Sequence, residues 1–341
     1  MRRVLHLLTA LPPVVCGVGD YGVCLNRKIA EDFGITPQLY APVSDDDPGA
    51  KKAKLRLPLE SADAVILEYS NYGYQRYGIP YWLLQALSQW KTGGKRLVTV
   101  FHELYAFGRP WSTAFWTSAP QRYVARDLAR LSDGMITTTD WHAEILRSWQ
   151  TAVNVRVLPV PSNVGEVRVL PLAEPRDIEL IVFGLAGTRR RVYLQNEANW
   201  ERIRNALGNV TVHDVGPAVN LPLTELTGLS CVVHGHVSTP TLSAMLEKAR
   251  WGIVDYYQST LEKSGVFAAY CAHGVIPIVL RHSTPAGSSL KEGTHFLMLS
   301  SGELIRENAS ELSRRAHEWY TGHGIDQHAQ VIHQLLGLED A

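Results

Sequence analysis

The sequence predicts an α/β protein made of two doubly wound domains that face a central cleft. Short runs rich in Val, Ile and Leu alternate with helical segments over residues 4–163, and the alternation restarts at residue 178. Buried strands that alternate with helices are typical of parallel sheets covered on both faces. The chain has 341 residues, which is too long for one compact core because domains usually span about 100–200 residues.

In the first half, apolar runs predict the strands and amphipathic stretches predict the helices between them. The run VLHLLT predicts a first strand over residues 4–9, followed by the glycine loop GVGDYG and a helix over residues 23–32. A charged loop, SDDDPGAKK, precedes the third strand. The other predicted strands are residues 38–42, 62–70, 95–103, 134–140 and 153–163, and the other helices are residues 79–90, 119–131 and 141–148.

A stretch rich in proline and charge, residues 166–177, marks the predicted boundary between the domains. The first domain is predicted to span residues 1–165 and the second residues 166–315. The tail, residues 316–341, is predicted to be helical and to pack back on the first domain. In the second domain the predicted strands are residues 178–185, 210–216, 230–236, 251–257 and 276–280, and the helices are residues 199–207, 242–249 and 266–272.

The composition is that of an ordinary globular protein, with 45% hydrophobic and 19% charged residues and a formal net charge of zero. Nucleic-acid-binding proteins usually carry a basic excess, so we expect no nucleic-acid partner. The four cysteines form no CxxC pair, which favours free thiols in a reducing cytoplasm over disulfides or metal ligands. The His and acidic residues show no metal-ligand spacing either, so no metal is expected.

The N-terminus resembles a short signal peptide in its two arginines and the apolar residues after them. His6 interrupts the apolar run, however, and no small-residue cleavage pattern follows, so a buried first strand explains the same residues better. No apolar run approaches the roughly 20 residues that span a bilayer. Any membrane contact is therefore expected to be peripheral, at the inner membrane face.

The stretch LEKSGVFAAYCA, which follows the strand WGIVDYY, carries the strongest sign of a binding site. The first amide groups of a helix lack internal partners and carry the positive end of its dipole. Ser264 could cap such a helix, Gly265 would leave its backbone uncovered, and Lys263 would add a positive charge, which together suit a diphosphate. Glu262 could accept hydrogen bonds from a ribose. The alternative is a capped helix with a solvated Glu-Lys pair.

A second basic element, GLAGTRRR, ends another predicted strand. Gly187 and the arginines Arg189, Arg190 and Arg191 suit a phosphate, because guanidinium forks match its oxygens. A solvated basic turn remains the alternative. Which of the three arginines points inward stays open.

In the first half, His102 and Glu103 end the buried strand LVTVF. An imidazole there could bind a sugar hydroxyl or a phosphate, and a core histidine is the alternative. Glu103 could contact substrate or act as a structural partner. Asp20, in the glycine loop, could cap the following helix or touch a substrate hydroxyl.

The second half resembles the nucleotide-sugar domain of GT-B glycosyltransferases, specifically of the family-4-like retaining enzymes. That pattern has a strand, Gly-x-Val, a Leu-x-x-Leu helix, a strand, an acidic loop and a small-residue helix that ends in Gly-x-Pro-Val. Here the first part is filled by Gly235, His236, Val237, Leu242, Leu246 and Ala249, and the second by Glu262, Gly265, Gly274 and Pro277.

The resemblance implies a role for each of these segments. Glu262 would bind the donor ribose, and Ser264 and Gly265 the diphosphate. GLAGTRRR resembles the family's phosphate loop. GVGDYG, with Gly17 and Gly19, resembles the first glycine-rich loop, whose backbone approaches the donor phosphates and the transferred sugar. The chain departs from the pattern at Tyr270, where the family often has a second glutamate.

The implied activity is retaining transfer from a nucleoside diphosphate sugar to a hydroxyl acceptor, such as a lipid-linked glycan, in polysaccharide or glycoconjugate synthesis. The resemblance implies no cofactor beyond this donor. The missing second glutamate leaves another reading open, a non-catalytic sugar-nucleotide-binding or partner subunit on the same fold. A GT-B epimerase or phosphorylase is a third.

Overall fold

The structure is a computed structural model that describes residues 3–14, 16–43, 47–167, 170, 176–195, 197–281, 283, 289–299 and 309–337. The chain divides into two compact units. The first comprises residues 1–159 and 325–341, and the second comprises residues 160–324. Most of the predicted boundary stretch, 168–169 and 171–175, lies outside the described residues, as do residues 44–46 of the charged loop and the end of the tail, 338–341.

The first unit is built on a six-stranded parallel sheet of order β2-β1-β3-β4-β5-β6. The strands are β1 (Val4–Leu7), β2 (Gln38–Tyr40), β3 (Ala64–Tyr69), β4 (Arg96–Phe101), β5 (Gly134–Thr137) and β6 (Val155–Val157). The helices are α1 (Gly17–Phe33), α2 (Pro48–Ser61), α3 (Asn71–Tyr74), α4 (Tyr81–Trp90), α5 (Thr113–Leu131), α6 (Asp140–Trp149) and α13 (Ile325–Leu336).

Both faces of this sheet are buried, as the near-continuous apolar strands predict. Leu5 and Leu67 belong to the core on one face, and Val4 and Ile66 to the core on the other. The last helix, α13, contributes Ile332 to the second of these cores, which also contains residues of α1. The prediction that the C-terminal helix packs back on the first domain is therefore confirmed.

The second unit repeats the architecture, with a parallel sheet of order β12-β11-β10-β7-β8-β9. Its strands are β7 (Ile178–Phe183), β8 (Val212–Val215), β9 (Cys231–Gly235), β10 (Ala249–Tyr257), β11 (Ile276–Arg281) and β12 (Leu297–Met298). Its helices are α7 (Ala186–Tyr193), α8 (Glu197–Leu207), α9 (Leu223–Thr227), α10 (Thr239–Lys248), α11 (Gly265–Ala272) and α12 (Ala309–Thr321), with a 3₁₀ helix at Gln258–Lys263.

Two predicted loops are in fact helical. The GVGDYG segment forms the first turns of α1, because its glycines allow close packing: a Cβ on Gly22 would lie 2.2 Å from Leu8, and one on Gly19 would lie 2.6 Å from the Ala10 carbonyl oxygen. The arginine run after Gly184 lies on α7 rather than in a loop.

Helix α2, which begins within the predicted charged loop, was not predicted. Asp47 caps this helix by accepting hydrogen bonds from the amides of Gly49 and Ala50, at 2.7 and 3.0 Å. Pro48 occupies the first helical position, where its missing N–H costs nothing. None of the described helices is both long and apolar enough to cross a bilayer.

Candidate functional site

In the second unit, the helix start predicted to bind an anion forms at the carboxyl edge of the sheet. The 3₁₀ helix follows β10 directly, and Ser264 then caps α11 by accepting a hydrogen bond from the amide of Phe267 at 3.2 Å. A Cβ on Gly265 would meet only the Asn163 side-chain oxygen, at 3.9 Å. The first amides of α11 therefore adjoin open space beside Gly265.

The two residues before this cap are held by the 3₁₀ helix. Glu262 is buried, and its backbone carbonyl accepts a hydrogen bond from the Val160 amide at 2.9 Å. Lys263 is half-buried. The loop after β7 lies close by, since a Cβ on Gly184 would come within 3.2 Å of Val266 in the first turn of α11. Gly187 lies in the first turn of α7, and a Cβ there would meet no atom of a described residue within 4 Å, so the start of this helix is also open.

The arginines of α7 have different surroundings. Arg189 is fully buried and donates to the Gly184 carbonyl at 3.0 Å, and also to Asp214 and to the Pro217 carbonyl. These protein acceptors surround its guanidinium, which makes Arg189 a structural residue. Arg190 donates to the Val219 carbonyl at 2.6 Å.

Arg191 belongs to a cationic pair that the sequence analysis did not identify. Its Nε donates to Asp255 Oδ2 at 2.6 Å, and the Nε of Arg281 donates to Asp255 Oδ1 at 2.6 Å. The Asp255 carboxylate is fully buried, whereas the side chains of Arg191 and Arg281 are 49% and 33% exposed. One carboxylate thus orients two partly exposed guanidinium groups, and the cluster keeps a net positive charge.

Arg281 is further held by Tyr257 at the end of the neighbouring strand. Its Cζ lies 5.0 Å from the ring centroid, and its Nη1 donates to the Tyr257 hydroxyl at 3.1 Å. The hydrogen bond to Asp255 raises the pKa of Arg281 above its ordinary value. Because β10 and β11 pair in parallel, Tyr257 and Arg281 lie side by side at the carboxyl edge.

The Gly235-His236-Val237 segment lies elsewhere on this edge. It ends β9, the edge strand, which β7 and β8 separate from β10. Three strand spacings amount to roughly 14 Å. His236 is exposed, and Val237 packs against the core. Val237 and Phe267 of α11 belong to the same hydrophobic core.

In the first unit, a buried carboxylate at the end of β3 joins two histidines. Glu68 accepts a hydrogen bond from His6 Nε2 at 2.9 Å and another from His102 Nε2 at 2.7 Å. Burial raises the pKa of Glu68, but these hydrogen bonds outweigh it and bring the pKa below its ordinary value. Glu68, which the sequence analysis did not identify, is therefore ionised.

An ionised carboxylate only accepts hydrogen bonds, so Nε2 of His102 must carry its proton. In the neutral ring, Nδ1 is then the acceptor. No described residue bonds to Nδ1, and this atom is not among the fully buried polar atoms that lack a partner, so it is open to solvent. The arrangement is a carboxylate–imidazole dyad with an accessible acceptor nitrogen.

Tyr21 supports the other side of His102. The two rings meet edge to face, with centroids 5.5 Å apart. The Tyr21 hydroxyl donates to Nδ1 of His328 at 2.9 Å, while Nε2 of His328 donates to the Pro159 carbonyl at 3.0 Å. Burial lowers the pKa of His328 to about 4, so its ring is neutral. Burial and then the charge of Glu68 raise the pKa of Tyr21 well above its ordinary value.

The remaining predicted residues of this unit lie near the same edge. Glu103 follows His102 and is half-buried. Asp20 is half-buried in the first turn of α1, where burial raises the pKa of its carboxyl. A Cβ on Gly17 would meet nothing within 4 Å, whereas Gly19 packs against Ala10.

No protein-family model matches the sequence, and no curated protein matches it. Solved structures do match. The lipopolysaccharide outer core galactosyltransferase WaaB, in its apo form, gives a TM-score of 0.56 at 11% identity over 99% of this chain and 99% of that one. The pneumococcal O-GlcNAc transferase GtfA, in complex with UDP and GlcNAc, gives 0.56 at 14% identity over 85% of this chain and 61% of that one.

An α-glucosyltransferase in complex with UDP and a DNA 13-mer that contains an HMU base gives a TM-score of 0.50 at 10% identity, over 98% of this chain and 94% of that one. These similarities and the two parallel six-stranded sheets decide the architecture. The chain has the GT-B fold. It spans 60% of the matched chain of the GtfA/B complex and 61% of GtfA.

Two further observations concern Tyr270 and metal binding. Tyr270, which the sequence analysis noted as a departure from the resembled pattern, is fully buried, and its hydroxyl donates to the Ile181 and Ile253 carbonyls at 3.2 Å. It supports the core and is shielded from any ligand. Within the described parts of the chain, no three His, Cys, Asp or Glu side chains cluster so as to hold a metal ion.

Proposed function

We propose that this protein is a glycosyltransferase that moves a sugar from a nucleoside diphosphate sugar to a hydroxyl acceptor, with retention of anomeric configuration. The observation that carries the proposal is the anion site after β10. The open start of α11 and the Arg191–Arg281 pair on Asp255 both belong to the carboxyl edge of the second sheet. In open α/β sheets, ligands bind at this edge.

In this proposal, the amides beside Gly265 and the two arginines hold the diphosphate. Their positive charge stabilises the negative charge that develops on it as the sugar departs. Lys263 adds a charge beside the helix start, and Glu262 accepts hydrogen bonds from the ribose. Arg281 takes over part of the role that the sequence analysis gave to Arg189.

His102 is proposed to accept a hydrogen bond from a hydroxyl of the transferred sugar through its open Nδ1. The proton of the acceptor hydroxyl passes to the departing phosphate, as the resemblance to family-4-like enzymes implies. Neither step needs a metal ion, so we propose metal-independent transfer. The proposed setting is polysaccharide or glycoconjugate synthesis in the cytoplasm or peripherally at the inner membrane face. The proposed acceptors include lipid-linked glycans, and no nucleic-acid partner is proposed.

A thermal-shift screen of nucleotide sugars, followed by a transfer assay with the hit, tests the function. A donor that binds raises the melting temperature by mass action, and His102→Ala should then reduce turnover more than donor affinity. Glu262→Ala and Lys263→Ala should each weaken binding of the matching nucleoside diphosphate. If no UDP- or GDP-sugar shifts the melting temperature, or if His102→Ala transfers sugar at the wild-type rate, the proposal is wrong.

A further inference from the structure

Four aromatic side chains form a continuous row beside α6 in the first unit. The ring centroids of Trp149 and Tyr105 lie 6.1 Å apart, those of Tyr105 and Phe107 4.7 Å, and those of Phe107 and Trp141 5.1 Å. Phe107 and Trp141 are 60% and 41% exposed. Trp141 and Trp149 lie eight residues apart on α6, so the row extends over about 12 Å.

The row begins at the carboxyl edge of the first sheet. Trp141 is the second residue of α6, and two residues separate the end of β5 from the start of this helix. Tyr105 and Phe107 follow β4 closely, after His102. His102 and the start of the aromatic row therefore lie at the same edge of the first sheet. From there the row extends along α6, away from that edge.

Arg122 lies at the far end of the row. Its Cζ is 5.7 Å from the centroid of Tyr105 and 5.9 Å from that of Trp149. Arg122 is exposed and makes no hydrogen bond or ion pair with any described residue. The rings orient the guanidinium while its N–H donors stay available, which suits a phosphate or a carboxylate.

A cavity of about 530 Å³ adjoins this end of the row. Three arginines of α5, one turn apart, line it together with Tyr123 and Trp149, and none of the described acidic side chains does. The arginines are Arg122, Arg126 and Arg130. Asp127 pairs with both Arg126 and Arg130 at 3.4 Å, so Arg122 is the arginine of this group that has no carboxylate partner among the described residues.

We propose that this row binds the acceptor and that the acceptor is an acidic glycan. Its sugar rings would lie on the exposed aromatic side chains, and one of its phosphate or carboxylate groups would bind Arg122. The inference rests on the proposed function and adds the class of acceptor. An anionic membrane is the competing occupant, but it would engage the more exposed Trp111 and Trp116, at 77% and 73%, rather than the row.

Affinity electrophoresis of the full chain tests the inference, in native gels containing polygalacturonate, phosphomannan or neutral dextran. We expect at least one acidic polymer to retard the protein more strongly than dextran does. Arg122→Gln should weaken that retardation about tenfold or more, because a charge-assisted hydrogen-bond pair is lost. Trp141→Ala should weaken it as well, whereas Arg27→Gln, a change at an exposed arginine of α1, should not.

Several results would overturn the inference: retardation by neither acidic polymer, equal retardation by dextran, or equal effects of Arg122→Gln and Arg27→Gln. Cosedimentation with phosphatidylcholine–phosphatidylglycerol vesicles that depends on Arg122 would assign the surface to a membrane instead. UDP and GDP binding, measured by calorimetry, should be the same in all these variants. Failure of the wild-type protein to bind either nucleotide would count against the proposed function, and the electrophoresis would remain interpretable.

Discussion

At the scale of single residues, Glu68 organises the candidate site of the first unit. Replacement by glutamine keeps the size of the side chain but removes its charge and one of its two acceptor oxygens. Glutamine presents one acceptor oxygen and one NH₂ donor to the two histidines, so the protonated nitrogen of the His102 ring is no longer fixed. We expect Glu68→Gln to lower the turnover number about ten- to hundredfold, the equivalent of one charge-assisted hydrogen bond, with little effect on nucleotide affinity.

Nitrogen NMR of the His102 ring gives a readout that a purely structural role would leave unchanged. The wild type should show the tautomer protonated at Nε2, and Glu68→Gln should show a mixture. Glu60→Gln, at an exposed glutamate of α2, is the matched control and should behave as wild type. An unchanged His102 tautomer in Glu68→Gln would contradict the dyad.

His328 should make stability depend on pH. Its pKa is lowered by burial from 6.5 to about 4, so between these values the unfolded chain binds a proton that the native protein does not. Stability is therefore lost as the pH falls below about 6.5. From pH 7 to pH 5, this residue should account for about 2 kcal/mol of the free energy of unfolding.

The measurement is urea unfolding of the wild type and of His328→Gln at both pH values. The wild type should lose about 2 kcal/mol more than the variant over this interval, since the other titrating groups contribute equally to both. Equal losses would show that His328 is not held neutral in the native protein.

The site residues show which parts of the structure a sequence can reveal. His102 could be predicted because it ends an apolar strand, which is a local pattern. Glu68 could not, because its role depends on β1 and β4 lying on either side of β3 and supplying His6 and His102. Arg189 and Arg191 are likewise equivalent in the sequence, and only the helical turn of α7 separates the buried one from the exposed one.

At the scale of elements, the start of α11 makes the sharpest prediction. Gly265→Ala introduces a methyl group that clears the protein, and alanine favours the helix, so stability should stay level or rise by up to about 1 kcal/mol. The same methyl group enters the space where a diphosphate would approach the amides. We therefore expect UDP or GDP affinity to fall about tenfold.

Gly322→Ala, after α12, is the control, because a Cβ there would also meet only one atom, the Trp319 carbonyl oxygen at 3.5 Å. It should change neither the melting temperature nor nucleotide affinity. If Gly265→Ala keeps full affinity, the helix start lies outside the nucleotide site.

The start of α1 was predicted too late in the chain, and α7 was predicted to be a turn. The glycines at the start of α1 indicated a loop because glycine disfavours helices, but close packing against Leu8 and Ala10 requires them within the helix. For α7, the dense positive charge suggested a turn, whereas the buried pairing of Arg189 with Asp214 stabilises a helix there. In both cases tertiary contacts outweighed local propensity.

At the scale of the whole molecule, the two-sheet plan could be predicted because apolar runs alternate with helices in both halves. The order of the strands could not, since the runs alone do not say which strands are neighbours. The place of Arg281 in the candidate site depends on this order. Because β10 and β11 lie side by side, Asp255 accepts hydrogen bonds from two arginines that are 90 residues apart in the sequence, Arg191 and Arg281.

Titration calorimetry with UDP and GDP, on the wild type and on Arg281→Gln, tests the central claim most directly, with Arg250→Gln as the control at an exposed arginine. If Arg281 and the start of α11 hold a diphosphate, the wild type binds at least one nucleotide and Arg281→Gln weakens binding about ten- to hundredfold. Arg250→Gln should bind as the wild type does. Wild-type affinity in Arg281→Gln, or no binding of either nucleotide to the wild type, would contradict the claim.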